Sequence, residues 1–299
     1  MLGLGNNSIV SIESSPIGAI SAASVCEAIY RERNRGRKPI ALVLTAGTTE
    51  LGSIDHIREC TLTAQSEGLW VHLDAAAGGV LLLSNTYRKL LDGIESVDSV
   101  SIDFHKCFFQ SISCGCFLVR NGANLKFLRM NIPYLDPFEV QEGAAPNLVG
   151  KSIQTTRRFD ALKVFVSMRA VGQKAFEDMI ERTFRTTQCA GALIKESSNL
   201  TLLANPVTNI VLFRWQPSDG ANHANLDVVN KALPSILWAE GTAVLGKTLF
   251  QGKSALKLTL LNPLVNVDGI RSLLKSIESH GKFYSDELLR KEAQSKTYV

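Results

Sequence analysis

The first half of the chain alternates short apolar runs with segments of helical spacing. Apolar runs of strand length occupy residues 39–47, 69–76, 98–104 and 114–120. Apolar positions three or four residues apart indicate helices over residues 19–35, 56–65 and, more briefly, 85–93. A continuous apolar run is typical of a strand that is covered on both faces. The alternation therefore predicts an α/β fold with a mostly parallel sheet and right-handed crossovers.

The second half has a different pattern. Residues 157–196 predict two long helices that break near Gly172. After about Asn199, the chain mixes strand-like runs with helical segments, at 200–205, 208–215 and 255–261 for the strands and at 224–241 and 267–281 for the helices. This mixture predicts a small α+β domain. We therefore divide the chain into a partial large domain, residues 1–160, and a small C-terminal domain, residues 161–299.

Two local features near the start of the chain carry predictions of their own. Gly3 and Gly5 resemble part of a phosphate loop, but no strand precedes them and no GK[ST] motif follows. We therefore predict a loop there, with a short strand at 8–12. Asp55 stands directly before the helical segment 56–65, where an acidic side chain is expected to cap the helix.

The composition is that of an ordinary globular protein, with 45% hydrophobic and 20% charged residues in a chain of 299. The net charge is only +4. The one basic run, residues 31–38, is interpreted as a polar helix end, because a nucleic-acid site would need a wider cluster. No nucleic-acid partner is therefore predicted.

Cysteine usage and apolar run lengths indicate the compartment. The six cysteines contain no CxxC pair and are interpreted as small buried residues in a reducing compartment. No metal site is predicted from them. No signal peptide opens the chain, and the longest apolar runs are far too short to span a bilayer. We predict a cytoplasmic protein without a membrane partner.

Polar and ionisable side chains stand at the ends of three of the predicted strands. They belong to the Thr48–Thr49 turn, to Asp74, and to the turn from Asp103 to Lys106. In parallel α/β sheets, ligands bind at the carboxyl ends of the strands. The convergence of these turns on one edge is stronger evidence for a site than any one residue, since a single lysine such as Lys106 is usually only an exposed turn residue.

An acid and an amine at neighbouring strand ends are typical of a pyridoxal phosphate site. Lys106 is expected to form an aldimine with the cofactor aldehyde, and Asp74 is expected to keep the pyridine nitrogen protonated so that the ring accepts electrons. His72 lies two residues before Asp74, on the same side of its strand. It either forms hydrogen bonds near Asp74 or is a buried core histidine.

The motifs TAGTTELGSID (45–55), HLDAA (72–76) and DFHK (103–106), with their mutual spacing, resemble the group II pyridoxal-dependent decarboxylases of amino acids. Within that family, SIDFHKCFFQSISCG (101–115) and PNLVGKSIQTTRRFDALK (146–163) are most similar to the diaminobutyrate decarboxylases. The resemblance covers nearly the whole chain. It implies the fold of the fold-type I, transferase-like pyridoxal phosphate enzymes.

The resemblance also implies roles for individual residues. Lys106 would carry the cofactor, Asp74 would pair with its pyridinium nitrogen, and Ala76 would pack under its ring. Thr49 would lie near the ring hydroxyl and the substrate carboxylate. Lys257 stands where relatives place an arginine that holds this carboxylate, and lysine supplies the charge without the bidentate fork.

Asp103 and His105 would approach the phosphate side of the cofactor pocket. Relatives often have asparagine at the position of Asp103, and a carboxylate there would repel phosphate unless a donor intervenes. Relatives take the proton donor from a tyrosine on a mobile loop. The corresponding residues here, about 135–150, contain no tyrosine, and Tyr134 stands at their edge.

The resemblance implies a region that would precede residue 1. In the family it contains a helical dimerisation arm, a Gly/Ser loop that cradles the phosphate, and a histidine that stacks on the ring. Gly3–Gly5 match a stretch just after that histidine. We therefore expect a truncated gene product, a split enzyme or a gene-model error.

These features predict an enzyme, a carboxy-lyase, that uses pyridoxal phosphate to decarboxylate an L-amino acid, similar to 2,4-diaminobutyrate, to its amine and CO₂ by way of Lys106. A homodimer is expected, as in full-length relatives. One alternative is a truncated, inactive remnant or partner subunit of such a decarboxylase. Another is a different fold-type I enzyme such as an aminotransferase, which the HK turn and TTRRFDALK favour less.

Overall fold

A computed structural model describes residues 4–128, 148–154, 156–218 and 223–297. The first half forms a four-stranded sheet whose strands lie in chain order, β1 (Ala41–Thr45), β2 (Trp70–Asp74), β3 (Ser99–Asp103) and β4 (Gly115–Val119). β1, β2 and β3 are mutually parallel, and β4 pairs antiparallel with β3. The predicted mostly parallel sheet is therefore confirmed.

Side chains alternate across this sheet, and one face is packed more fully than the other. The packed face meets helices α1 (Ala22–Asn34) and α2 (Ile57–Ser66) through buried side chains, among them Leu42, Leu44, Val71, Leu73, Val100 and Ile102. The opposite face, which we call the open face, presents Val43, His72, Asp74 and Ser101. Val43 is 60% exposed, so the expectation that this strand is covered on both faces is not met.

The second half forms a separate antiparallel sheet. Its strands are β5 (Leu200–Leu202), β6 (Ile210–Trp215), β7 (Gly246–Phe250) and β8 (Lys253–Thr259), in the order β5-β6-β8-β7. Helices α5 (Leu226–Ala239) and α6 (Val267–Thr297) pack on it around Trp215, Leu233 and Ile277. No strand was predicted at β7, because this edge strand alternates half-buried with exposed residues and has no apolar run.

Two helices connect the sheets. α3 (Ala161–Val171) and α4 (Gln173–Glu196) meet at Gly172, whose φ of +83° suits a glycine, and the predicted break is confirmed. α4 contributes Ile180 and Phe184 to the first core, and Ala190 and Ile194 to the second. Because one helix serves both cores, a domain boundary between residues 160 and 161 stays a prediction.

One predicted element is wrong, and a second is only partly confirmed. Residues 8–12 form no strand within the described range 4–128, since a single 3₁₀ turn at Asn6–Ser8 leads into unpaired extended chain. The short helix predicted over residues 85–93 is present only as a 3₁₀ helix at Arg88–Leu91, with turns on both sides of it, and Gly93 with φ +94° ends the segment.

The predicted cap on α2 is also wrong. His56 occupies the N-cap position, without a side-chain hydrogen bond. The Asp55 carboxylate instead accepts the backbone N–H groups of Ile20, at 2.9 Å, and Thr45, at 2.7 Å. Burial raises the pKa of the Asp55 carboxyl, and these two donors oppose that shift. Asp55 therefore ties the end of β1 to the segment before α1.

Among the described residues, no helix combines the length and the apolar content that crossing a membrane requires. Within the same residues, no group of three or more histidine, cysteine, aspartate or glutamate side chains is placed to hold a metal ion.

Candidate active site

Asp74 ends β2 on the open face, and its carboxylate is held at one oxygen. Oδ1 accepts the backbone N–H of Ala76 at 3.0 Å and the hydroxyl of Ser101 at 3.2 Å. Both hydrogen bonds that the described residues make to this carboxylate end on Oδ1. Oδ2 is therefore left to accept a hydrogen from a ligand.

Ala76 joins the ends of β2 and β3. Its N–H donates to Asp74, and its carbonyl oxygen accepts the backbone N–H of Asp103 at 3.2 Å. The segment that follows Ala76 also contacts the end of β1, since the N–H of Gly78 donates to the carbonyl of Ala46 at 2.9 Å. A Cβ on Gly78 would lie 2.6 Å from that oxygen, so only glycine permits this approach.

The amine of Lys106 lies at the end of β3, where it pairs with a neighbouring acid. Its Nζ is 3.0 Å from Oδ2 of Asp103, and the side chain is 43% exposed. Burial raises the pKa of the adjacent Cys107 thiol to about 11, although Lys106 opposes this. The thiol is therefore protonated at neutral pH, and it is only 4% exposed, whereas the Lys106 amine is accessible from solvent.

His105 faces the same acid, with its Nε2 3.7 Å from Oδ2 of Asp103. Its Nδ1 lies 3.2 Å from the backbone nitrogen of Cys114 and 3.0 Å from that residue's carbonyl oxygen. This oxygen already accepts the N–H groups of Phe104 and His105. Nδ1 therefore accepts the Cys114 N–H, which leaves a hydrogen on Nε2 directed at Asp103.

Lys257 connects the second sheet to this site. From β8, its Nζ donates to the carbonyl oxygen of Thr49 at 3.1 Å and lies 3.5 Å from Oε2 of Glu50. The hydroxyl of Thr208 also donates to the carbonyl of Gly52, at 3.0 Å. Two contacts from the C-terminal half therefore hold the loop that follows β1.

Comparison with known proteins shows the family of this chain. The pyridoxal-dependent decarboxylase conserved domain matches residues 4–216.

The chain belongs to the pyridoxal-dependent decarboxylase family.

Two family members with curated names are similar to the chain. An L-2,4-diaminobutyrate decarboxylase of Acinetobacter baumannii is 37% identical over 288 residues, which are 96% of this chain and 56% of that protein. An L-2,4-diaminobutyrate decarboxylase of Rhizobium meliloti (strain 1021) is 38% identical over 277 residues, 93% and 55% of the two proteins. The chain thus spans about half the length of these relatives.

A solved family structure has the same fold. It is the glutamate decarboxylase domain of diaminobutyrate-pyruvate transaminase and L-2,4-diaminobutyrate decarboxylase from Vibrio parahaemolyticus, 36% identical with a TM-score of 0.81. The match covers 94% of this chain and 54% of that one. The predicted family and the fold-type I class are confirmed, and the match does not support the aminotransferase alternative.

The residues present fit the cofactor of the pyridoxal-dependent decarboxylases. The carboxylate of Asp74 has one oxygen held and the other left for a pyridinium N–H, and the Lys106 amine lies at the next strand end. Ala76 lies between them, bonded to the ends of both strands. The Asp103 carboxylate, which by itself would repel a phosphate, faces Nε2 of His105 at 3.7 Å and Nζ of Lys106 at 3.0 Å.

The structure places the predicted site residues in two groups. Asp74, Ala76, Asp103, His105 and Lys106 cluster at the ends of β2 and β3. Thr49 and Lys257 meet at the loop after β1. The predicted proton-donor candidate, Tyr134, lies outside the described residues.

Sequence reasoning missed a row of polar side chains beside His72. Its Nδ1 lies 2.8 Å from Oγ of Ser99, which Trp70 Nε1 also contacts at 2.9 Å. Its Nε2 lies 3.3 Å from Oγ of Ser101, and Phe117 stacks on the ring with centroids 6.0 Å apart. Ser99 and Ser101 are two residues apart in SVSID, so both lie on the face of Asp74. This spacing could have predicted the row from the sequence.

A pH dependence of stability is expected from His72. Burial lowers the pKa of His72 below its ordinary value of 6.5, although nearby Asp74 opposes the shift. When the pH falls below that ordinary value, the unfolded chain therefore takes up a proton that the folded chain does not, and stability is lost. The free energy of unfolding in urea, measured at about pH 7.5 and about pH 5.5, should fall more in the wild type than in His72→Gln. Equal losses would contradict the lowered pKa.

Proposed function

We propose that this chain binds pyridoxal phosphate through Lys106 and Asp74 and serves the decarboxylation of an L-amino acid similar to 2,4-diaminobutyrate. The observation that supports this best is the pairing of a singly held carboxylate with an amine at adjacent strand ends. When bound, the cofactor supplies an aldehyde that condenses with amines and a ring that accepts the electron pair left by a departing carboxylate.

The roles of the chain's own groups follow from their contacts. Lys106 presents the amine that attaches the cofactor, and Asp103 keeps this amine directed along the strand ends. Asp74 accepts the pyridinium N–H at Oδ2 and stabilises its charge. Ala76 provides a small surface for the ring, and His105 offers an Nε2–H on the side of Asp103.

Lys257 and Thr49 are proposed to receive the substrate carboxylate. The ammonium of Lys257 carries three hydrogens, and its contacts with the Thr49 carbonyl and with Glu50 use at most two of them. The third can be donated to a substrate carboxylate. A fixed positive charge there also suits the carboxylate that leaves as CO₂, because it orients this group before the bond breaks.

Replacing Lys257 with methionine is expected to weaken binding of 2,4-diaminobutyrate to the cofactor-loaded chain by about tenfold, the effect of one charge-assisted hydrogen bond. Lys257→Arg should keep most of the affinity, because it retains the charge. Isothermal titration calorimetry would measure both dissociation constants. Lys247→Met, an exposed lysine on the neighbouring β7, is the control. Equal affinities for Lys257→Met and Lys247→Met would contradict the role.

Release of CO₂ tests the reaction and its substrate. The cofactor-loaded chain is given 2,4-diaminobutyrate, ornithine, glutamate or tyrosine, and the CO₂ is measured. Release that is fastest from diaminobutyrate supports the proposal. Faster release from another amino acid would identify that amino acid as the substrate instead. Cofactor binding without CO₂ from any of them would favour the alternative, a non-catalytic remnant or partner subunit.

A homodimer is also proposed. Helix α3 has no buried residue, and its apolar side chains Leu162, Phe165 and Val166 are exposed. Phe117 on β4 is also exposed and lines the same cavity as Phe165. Apolar area of this kind favours coverage by another subunit. Sedimentation of the chain should therefore show an assembly, and a stable monodisperse monomer would count against it.

A further inference from the structure

A continuous row of hydrogen-bonding side chains crosses the open face from β2 to β3 and back, which we call the serine–histidine row. It consists of Trp70, Ser99, His72, Ser101 and Asp74, in that order. The parallel register places Ser99 beside His72 and Ser101 beside Asp74. The row therefore ends on the carboxylate proposed to hold the pyridinium nitrogen.

The Trp70 end sets the positions of the hydrogens. An indole N–H can only donate, so the oxygen of Ser99 accepts from it. Ser99 is 2% exposed, and its own hydrogen needs an acceptor. Among the hydrogen bonds of the described residues, the only further partner of this hydroxyl is Nδ1 of His72. Nδ1 therefore accepts, and a neutral His72 carries its hydrogen on Nε2.

The remaining hydrogens follow in the same direction. Nε2–H of His72 donates to the oxygen of Ser101, and the hydroxyl of Ser101 donates to Oδ1 of Asp74. With the opposite tautomer, Ser101 would donate to His72. Oγ of Ser101 and Oδ1 of Asp74 would then lie 3.2 Å apart without a hydrogen between them. Only the Nε2–H tautomer satisfies every member of the row.

We propose that Ser99, His72 and Ser101 are positioning residues for Asp74. The row keeps His72 neutral, with its hydrogen on Nε2, and thereby directs the Ser101 hydroxyl onto Oδ1. This orients the carboxylate so that Oδ2 faces a ligand N–H. Stacking of Phe117 on the imidazole holds the ring plane. Only the identity of that ligand, the pyridinium of pyridoxal phosphate, rests on the proposed function.

The first test uses the full chain without cofactor. Nitrogen-15 NMR of the histidine side chains, assigned with His72→Gln, should show His72 at neutral pH with one hydrogen, on Nε2. An Nδ1–H tautomer or a doubly protonated ring would overturn the proposal. Because no cofactor is present, this result is independent of whether the chain binds pyridoxal phosphate.

The second test measures the dissociation constant for pyridoxal phosphate in variants of Ser101. Ser101→Ala should weaken binding about tenfold, the effect of one hydrogen bond to a charged group. Ser101→Thr keeps the hydroxyl and should bind the cofactor within about twofold of the wild type. Ser66→Ala, on the exposed surface of α2, is the control and should leave the affinity unchanged. An alanine variant that binds like the wild type, or a threonine variant as weak as the alanine variant, would overturn the positioning role. A wild type without affinity would instead refute the proposed function, and the NMR result would then decide for or against the row.

Discussion

Replacing Lys106 with alanine is expected to abolish the visible absorption band that pyridoxal phosphate develops with this chain, together with any CO₂ release. The physical reason is that the attachment needs an amine at the strand end, and the described contacts place the Nζ of Lys106 there, 3.0 Å from Asp103. The loss should be complete, because a methyl group offers no nucleophile. Absorbance spectra of wild type and variant with added cofactor, followed by borohydride reduction and peptide mass analysis, would measure it.

Lys174→Ala is the matched control. Lys174 also pairs with an acid three positions away, Glu177 at 3.2 Å, but it lies on α4 and is 75% exposed. The control variant should keep the band and the reduced peptide around residue 106. A band that persists in Lys106→Ala, or reduction that labels another lysine in the wild type, would refute attachment at Lys106.

The second large effect concerns stability. Gly93→Ala is expected to lower the free energy of unfolding by about 3 kcal/mol. Gly93 has φ +94°, which an L-residue rarely adopts, and a Cβ there would lie 2.6 Å from Cα and 2.7 Å from the backbone nitrogen of Arg58 in α2. Because these are backbone atoms of a packed helix, the contact cannot be relieved by a rotamer change. Urea unfolding followed by circular dichroism would measure the loss.

Gly68→Ala separates the two causes. Gly68 follows the same helix with φ +76°, but a Cβ there meets nothing within 4 Å. This variant carries the backbone strain without the steric clash, so it should lose only about 1 kcal/mol. If both variants lost the same free energy, the close approach of Gly93 to α2 would not contribute.

Much of the fold could be predicted from the sequence, because buried strands need apolar side chains at most positions. The runs containing Leu42, Val71 and Val100 predicted β1, β2 and β3 for this reason. The prediction failed at β7. β7 is an edge strand that presents Lys247 and Leu249 to solvent, and its turn is made by Gln251 and Gly252 with positive φ. A strand of this kind has no apolar run to detect.

The candidate site was predicted in part. Asp74 and Lys106 stand at strand ends in the sequence, and parallel strands bring their carboxyl ends to one edge. Asp55 shows the limit of local reasoning. Its position before α2 is typical of a cap, yet its carboxylate bonds to backbone groups 35 and 10 residues away. Such contacts depend on packing that no local pattern records.

The sequence by itself determined the family, the strand ends and the acid and amine of the candidate site, because these depend on residue type and on spacing along one stretch of chain. Only the tertiary structure decided how those groups are held. Ser101 reaches Asp74 across 27 residues, and Lys257 reaches the carbonyl of Thr49 across 208. Hydrogen bonds act over about 3 Å and require defined directions, so they are set by strand register and by the packing of the two sheets.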